Sequence, residues 1–565
     1  MRRTFALLAL LIPVALAGLA DAKSKPASEP AIATTDNETP VLYDDEEGGN
    51  ASGDDPAIWV HRDSSKSIVI VTAKEGGLRV YDLDGEELQS ILASPAPRAD
   101  GVDGRYNNVD ITYGLNVGGK TVDVAVVSDR YNDQLRFWAI DPAGADAATP
   151  LTEITAPELP FLFSPDRETV DEAHTAYGVA VWQPRHGPAS VVVTQEGATT
   201  LATVKLVTNG DTVGYTDIKH LDMPDTFTLR DGTSWTPCEE PGVGPHFEGS
   251  AVDQRRATLY TAQEDIGLWR IPLPFGSGKP VLVDTVAEFG QQAVFDEESE
   301  ECVPVEGSEG IGGPNLVADA EGVDIYYGRG ATGYVLVSSQ GDDRFAVYRT
   351  EGRNRSLGTF KILGIGVDDI NGSDGLAVTN RVVGKYVEGL LVSHDEPETG
   401  GDVDPERDPT NFSYVDWGQI ADALHLMRPS TAAGNDPRAR LFLSILAMDR
   451  HTATVAELVR RAAEAADPAG RDPSVAQLQV QLEDDDEPVT AVENLEERLA
   501  VAAEGADYDV EDPGVAVATA VVLYLARRGG QPDYDRDPNE LIQLAVRNQW
   551  HGDPPDYVAD WLAAR

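Results

Sequence analysis

The chain has 565 residues, with 44 Lys and Arg against 96 Asp and Glu, so its formal net charge at pH 7 is −52. That balance excludes a nucleic-acid backbone as a partner, because phosphate chains need a basic face. An acidic protein that holds a phosphate-rich anion must supply metal ions or a local basic cluster, and the remaining acidity reads as a well-solvated surface.

Met1-Arg2-Arg3 is followed by a short apolar run from Phe5 to Ala17 and then by Ala20-Asp21-Ala22. A basic start, an apolar middle and a small-residue end mark residues 1–22 as an export signal, too short for a membrane anchor. No later segment is long and apolar enough to span a bilayer, so the mature chain is expected to be exported, periplasmic or secreted. Residues 23–53 are rich in Pro, Ser, Gly and acids and are expected to form an N-terminal arm or linker.

Residues 54–426 have an all-β texture in which one unit recurs: a β-branched run, a short polar turn and a second run with an aromatic or aliphatic end. Copies begin at Ile68, Val122, Ser190, Leu259 and Tyr334, and a sixth at Leu390 lacks a clear returning run. Such units, each too small to bury both faces alone, suit the blades of a propeller; a sandwich or barrel of antiparallel strands is the alternative.

Past Leu426 the composition turns to Ala and Leu, with Asp-Pro pairs at 436–437, 467–468, 472–473, 512–513, 537–538 and 553–554. Asp as N-cap followed by Pro in the first turn starts helices. Residues 439–448, 455–466, 492–503 and 516–527 then carry apolar side chains at helical spacing. Residues 427–565 are therefore expected to be an α-helical accessory domain, a packing or partner-binding module with no chemistry of its own.

The two cysteines, Cys238 and Cys302, pair by default as one disulfide in an oxidising compartment; two separate buried thiols are the alternative.

Where the first run of each unit gives way to its turn stand Lys74, Asp129-Arg130, Gln195-Glu196, Gln263-Glu264-Asp265, Gln340 and His394-Asp395-Glu396. If the units are blades, these positions converge on one mouth. Between the units lie Asp54-Asp55, Asn107-Asn108-Val109-Asp110, Glu248-Gly249, Asp319-Ala320-Glu321-Gly322, Asp368, Asn371 and Asp374-Gly375. Each alone is an ordinary turn former. Gathered at one place, so many carboxylates repel unless protonated or neutralised, and an oxygen-rich site suits calcium. The scarcity of His and Cys argues against zinc or copper. Lys74 and Arg130 would clamp an anionic substrate.

Several other readings compete. Arg185-His186-Gly187 with Ser393-His394-Asp395 is similar to the ends of a histidine acid phosphatase motif, but Pro188 follows directly where that motif continues with a second Arg. A nucleophile elbow and a phosphate-binding P-loop are both missing from the sequence. A calcium-stabilised propeller that only binds, or one that opens a lactone, also fits the texture.

Asp54-Asp-Pro-Ala-Ile-Trp59, Lys74-Glu-Gly-Gly-Leu-Arg-Val-Tyr81, Asn107-Asn-Val-Asp-Ile-Thr-Tyr113, Ser128-Asp-Arg130, Tyr177-Gly178, Glu248-Gly249, Glu264-Asp265, Asp319-Ala-Glu-Gly322, Ser338-Ser-Gln340 and Asn411-Phe412 with Trp417 resemble, in order over 54–424, the β-propeller phytases. The resemblance implies a six-bladed propeller carrying several calcium ions. It also implies hydrolysis of phytate (myo-inositol hexakisphosphate) by a metal-activated water without a covalent intermediate, a 3-phytase activity. By the same resemblance Asp55, Glu248, Glu264, Asp319, Glu321, Gln340, Asp374 and Asp395 are calcium ligands, with Asp368 at a structural or second site. Glu248, Glu264 and Glu321 would be catalytic, and Lys74, Arg130 and Tyr177 would contact phosphate.

Glu75 stands where the family has a second lysine, and Gln195-Glu196 where it has another, so two positive charges are lost. Phosphate esters other than phytate therefore remain alternative substrates. The insertion at 223–245, the loop around Cys302 and the helical tail lie outside the family's minimal pattern.

Overall fold

A computed structural model describes residues 29–46, 50–98, 101–170, 174–184, 187–299, 301–328, 332–399, 403–428, 454–467, 473–482, 485, 495–504, 512–527, 538–550 and 554–563. The export signal, Arg185-His186 and the helix expected at 439–448 lie outside the described residues.

Six small antiparallel sheets follow one another along the chain. Their first strands are Pro56–Trp59, Tyr106–Val117, Ala176–Trp182, Phe247–Asp253, Ala320–Tyr327 and Leu376–Thr379, and each packs against the first strand of the next sheet. The sixth packs against the first. This closed ring is a six-bladed propeller and rules out the open sandwich. The second strands lie between neighbouring blades, so both of their faces are covered. Ile68, Val69, Ile70 and Val71 in blade 1, and Val124, Ala125, Val126 and Val127 in blade 2, accordingly have no exposed surface.

The arm expected at 23–53 is partly built into the sheets. Ala31–Thr35 runs parallel to Ser356–Gly364 as a fifth strand of blade 5, and Leu42–Tyr43 pairs with Pro409–Asp416 as the outermost strand of blade 6. Polar composition misleads here because backbone pairing holds the segment: Thr39 N donates to Phe412 O at 2.9 Å and Tyr414 N to Asn37 O at 2.8 Å. The returning run missing from the sixth unit is Pro409–Asp416, separated in the sequence from Leu390–Asp395 by residues 396–408.

Two hairpins, Phe227–Thr228 with Ser234–Trp235 and Ala293–Asp296 with Glu301–Pro304, are joined by a disulfide between Cys238 and Cys302, Cα–Cα 5.9 Å. Beneath them Trp235 packs on Phe289, ring centroids 4.7 Å apart.

Helices follow at Val455–Ala466, Pro473–Gln481, Leu495–Glu504, Pro513–Arg527, Pro538–Trp550 and Asp556–Ala563, around a core of their own that includes Leu458, Leu499, Val521, Leu541 and Val558. Three of them begin on the proline of an Asp-Pro pair, and Asp512 Oδ1 accepts from Val515 N at 3.0 Å. Val455–Ala466 starts with a capping box between Thr454 and Glu457. Glu457 Oε1 also lies 3.7 Å from Arg256 Nη2, in the turn where Phe247–Asp253 leads into the next strand. That turn is at the end of the propeller opposite the residues described below.

Candidate active site

At the start of the innermost strand in blades 2 to 5 the ladder slips, between Tyr106 and Val109, Ala176 and Val179, Phe247 and Ser250, and Ala320 and Val323. An extra residue in one strand bends it and re-aims side chains. The residues set free are Asn107-Asn108, Tyr177-Gly178, Glu248-Gly249 and Glu321-Gly322. Asp374-Gly375 and Asp54-Asp55 hold the same place just before the inner strands of blades 6 and 1. The pattern has a steric cause. A Cβ on Gly249 would meet Glu321 O at 2.2 Å, and one on Gly322 would meet Asp374 O at 2.6 Å. Only glycine lets the acidic residue of the next blade come this near.

The result is a crowded acidic centre. Glu248, Glu264 and Glu321 each bring one carboxylate oxygen to within 4.8 Å of the others, with 5%, 8% and 5% of their surface exposed. Asn107 Nδ2 donates to Asp54 Oδ2 at 3.1 Å and to Glu248 Oε1 at 3.4 Å. Asp54 Oδ1, Asn107 Oδ1, Asn108 Oδ1, Glu264 Oε1 and Glu321 Oε2 are buried with no donor facing them.

Burial pushes Glu264 up to about 8 even though His246 opposes it, and pushes Asp319 and Asp374 up to about 7. Glu321 rises well above the carboxylate range through burial and the charges of Glu264 and Glu248. Burial disfavours a charge on His246, but Glu264 Oε2 at 3.0 Å outweighs it and raises the imidazole to about 10. Buried oxygens without donors, on acids that resist ionising, are what a cation with oxygen ligands would relieve. The residues therefore fit calcium.

Cations rim this centre. Lys74, held at φ 45°, places Nζ 4.0 Å from Asp374 Oδ2. Arg130 Nη2 pairs with Glu196 Oε1 at 2.6 Å, and its guanidinium lies 5.3 Å from the Tyr177 ring centroid. Tyr177 meets His246 edge-on at 5.6 Å, and burial beside Glu248, Glu264 and Glu321 keeps its phenol protonated. Arg105 Nη1 donates to both oxygens of Glu75 at 3.1 Å, and Tyr131 Oη donates to Glu75 Oε1 at 3.0 Å. Glu75 and Glu196, which the sequence presents as lost positive charges, are thus each paired with an arginine.

The expected ligands divide between two places. Glu248, Glu264, Asp319, Glu321 and Asp374 are central, with Gln340 donating to Asp374 and buried Asp55 accepting from Val109 N at 3.0 Å. Asp368 and Asp395 are not central. Asp368 forms a second group with Glu38 and Glu398, one oxygen each within 4.8 Å, and Asp395 Oδ1 accepts from Asn371 N nearby at 2.8 Å. Glu38 Oε2, Asp368 Oδ1, Asp395 Oδ2 and Asn411 Oδ1 have no donor.

Asp110 is taken up structurally, accepting from Ile111 N and from Val181 N of the next blade, each at 2.6 Å. His394 is fully buried behind Asp374, whose N donates to Nδ1 at 3.2 Å. Its burial holds it neutral, at about 4, and removes it as an exposed acid. Sequence reasoning missed Arg105, His246, Glu38 and Glu398. For His246 the one available signal was its place two residues before Glu248.

A family model described as Phytase matches residues 2–183 and 242–439, leaving out most of blade 3 and the hairpin before Cys238. A 3-phytase of Bacillus subtilis (strain 168) is 30% identical over 383 residues, which is 66% of this chain and 82% of that protein. Among solved structures, BBS1N in complex with ARL6DN and soaked with lead aligns at a TM-score of 0.32 and 9% identity, over 65% of this chain and 79% of that one, a likeness too slight to carry any argument. The match over most of the propeller, on a ring with acids at or just before the inner strands of blades 1, 4, 5 and 6, places the chain in the phytase family, of the β-propeller type.

Proposed function

We propose that the chain is a calcium-dependent phosphomonoesterase that hydrolyses phytate to lower inositol phosphates and phosphate, as the name of its Bacillus relative suggests. The observation that carries this reading is the centre of buried, donorless oxygens around Glu248, Glu264 and Glu321, with Lys74 beside Asp374 and Arg130 over the Tyr177 ring. Glu248, Glu264, Asp319, Glu321 and Asp374 would hold calcium, which when bound cancels phosphate charge and lowers the pKa of a water for in-line attack.

The chain's own residues do the rest. Lys74 and Arg130 hold phosphate oxygens against the acidic centre. The Tyr177 phenol, kept protonated, offers a hydrogen bond and carries the Arg130 guanidinium on its face. Protonated His246 fixes Glu264 through Oε2 and so turns Oε1 inward. Glu38, Asp368 and Glu398, with Asp395 and Asn411, make a second cation site. The pattern of residues 1–22 and the disulfide support export.

Phosphate release from phytate, followed with calcium and then with EDTA, tests the proposal. Release that stops on chelation and returns with excess calcium is expected. Release that persists in EDTA defeats the calcium role. None in saturating calcium defeats the phosphatase and leaves a propeller that only binds.

A further inference from the structure

We propose that Arg105 is a third phosphate-holding cation of the mouth, and that Glu75, by neutralising it, sets how much negative charge the site accepts on its substrate. The inference rests on the phosphatase reading above and names a specificity determinant within it.

The geometry places Arg105 among the other two cations. Tyr106 N donates to Lys74 O at 3.1 Å, which fixes Lys74 of blade 1 against Arg105 at the entry to blade 2. Arg130 N donates to Arg105 O at 2.7 Å, which fixes the third cation to the same strand. Lys74, Arg105 and Arg130 therefore follow one another along the rim from blade 1 to the seam with blade 3. The charge of Arg105 reaches the acidic centre too: it acts on both Asp54 and Asp374, favouring their ionised forms.

The pairing with Glu75 leaves capacity in the guanidinium. Arg carries five donors in a rigid fork suited to two-point contact with carboxylate or phosphate. Here Nη1 alone serves both Glu75 oxygens, while Nε is buried with no acceptor. The pair is mostly covered but not sealed, at 11% and 20% side-chain exposure. A dianionic phosphate arriving beside Lys74 can therefore share or take the guanidinium. Glu75 opposes it, and the Tyr131 hydroxyl anchors Glu75 in that position.

Lys74 and Arg105 together carry two positive charges, and Glu75 reduces the seam to one. An ester with many phosphates loses most by that reduction, and a monoester loses least, because only the former spreads charge over the whole rim. Glu75 thereby tilts the site towards less heavily phosphorylated esters.

The test compares KM for phytate with KM for p-nitrophenyl phosphate, in calcium, for the full chain and its Glu75→Gln, Arg105→Gln and Glu75→Gln/Arg105→Gln variants. Glu75→Gln, which keeps the shape and the Tyr131 contact, should lower the phytate-to-monoester KM ratio about fivefold, the effect of a coupling near 1 kcal/mol. Arg105→Gln should raise the ratio, and in the double variant the Glu75 effect should vanish. Arg105→Lys keeps the charge without the fork and should give an intermediate ratio, which separates lost recognition from a disturbed seam. A ratio unchanged in Glu75→Gln, or a Glu75 effect that survives in the double variant, overturns the inference. A wild-type chain that releases phosphate from neither ester overturns the phosphatase reading with it, whereas an active wild type with an invariant ratio overturns this inference alone.

Discussion

The two carboxylate groups are made of the same side chains and differ in what surrounds them. The central one comes from the innermost strands of blades 4 and 5 and from the end of blade 4's second strand, and is bordered by Lys74, Arg105, Arg130, Tyr177 and His246. The peripheral one joins Glu38 of the N-terminal arm to Asp368 and Glu398, in the loops that flank the first two strands of blade 6, with Thr399 closing on Asp368 at 2.7 and 2.8 Å. A cation at the first would lie where an anion can be held beside it. A cation at the second would tie the arm to the blades. Ligand chemistry is shared, so the neighbours decide whether a metal serves reaction or stability.

The largest expected effect separates the two directly. Glu248→Gln removes one charge from the centre but keeps the side-chain volume and the hydrogen bond to Asn107. It should cut phosphate release at least about a hundredfold, the scale on which lost metal-site residues act, with circular dichroism and melting unchanged or improved. Near-normal release would remove Glu248 from its assigned role.

Chelation should then show a pH dependence belonging mainly to the centre. Glu264 at about 8, and Asp319 and Asp374 at about 7, are raised above their unfolded values by burial. Acids of this kind favour the fold while they carry protons, below their unfolded pKa near 4, and lose that contribution as pH rises through their folded values. The chelated protein should therefore melt at a clearly lower temperature near about pH 8.5 than near about pH 5.5, and calcium should shrink the difference. A chelated protein equally stable at both values would mean that these acids are relieved by something other than a cation.

Much of the centre was legible because its signal is local. An acid followed by glycine, at the start of the inner strands of blades 4, 5 and 6, meets both the chemical and the steric requirement, so Glu248-Gly249, Glu321-Gly322 and Asp374-Gly375 announce themselves. Half of the described tail helices were legible for a similar reason, since the Asp-Pro pairs at 472–473, 512–513 and 537–538 each open one. Arg105 and His246 have no such signature: a single Arg or His acquires its role from the blade next to it. Glu38 and Glu398 were hidden further, because the arm becomes strands only by pairing with blades 5 and 6, the last two blades in the chain. Polar composition, read locally, points to a linker there.

The smallest expected effect tests the peripheral half of the comparison. Glu38→Gln keeps the arm's backbone pairing and removes one carboxylate from the second group, so the folded chain should survive. In calcium its melting temperature should fall by a few degrees at most, since 1 kcal/mol shifts a domain of roughly 150–250 residues by about 2–4 °C and a larger one by less. The gap between calcium-loaded and chelated protein should narrow, because part of the binding energy that stabilises the fold is gone. Amide exchange should quicken first around Thr35 and Thr39, where the arm meets Tyr414 and Phe412. Phosphate release should fall far less than in Glu248→Gln, and then in step with unfolding on heating. If Glu38→Gln instead lowers turnover as steeply as Glu248→Gln while the arm stays protected, the two groups act as one site, and separation by neighbours is the wrong account of this molecule.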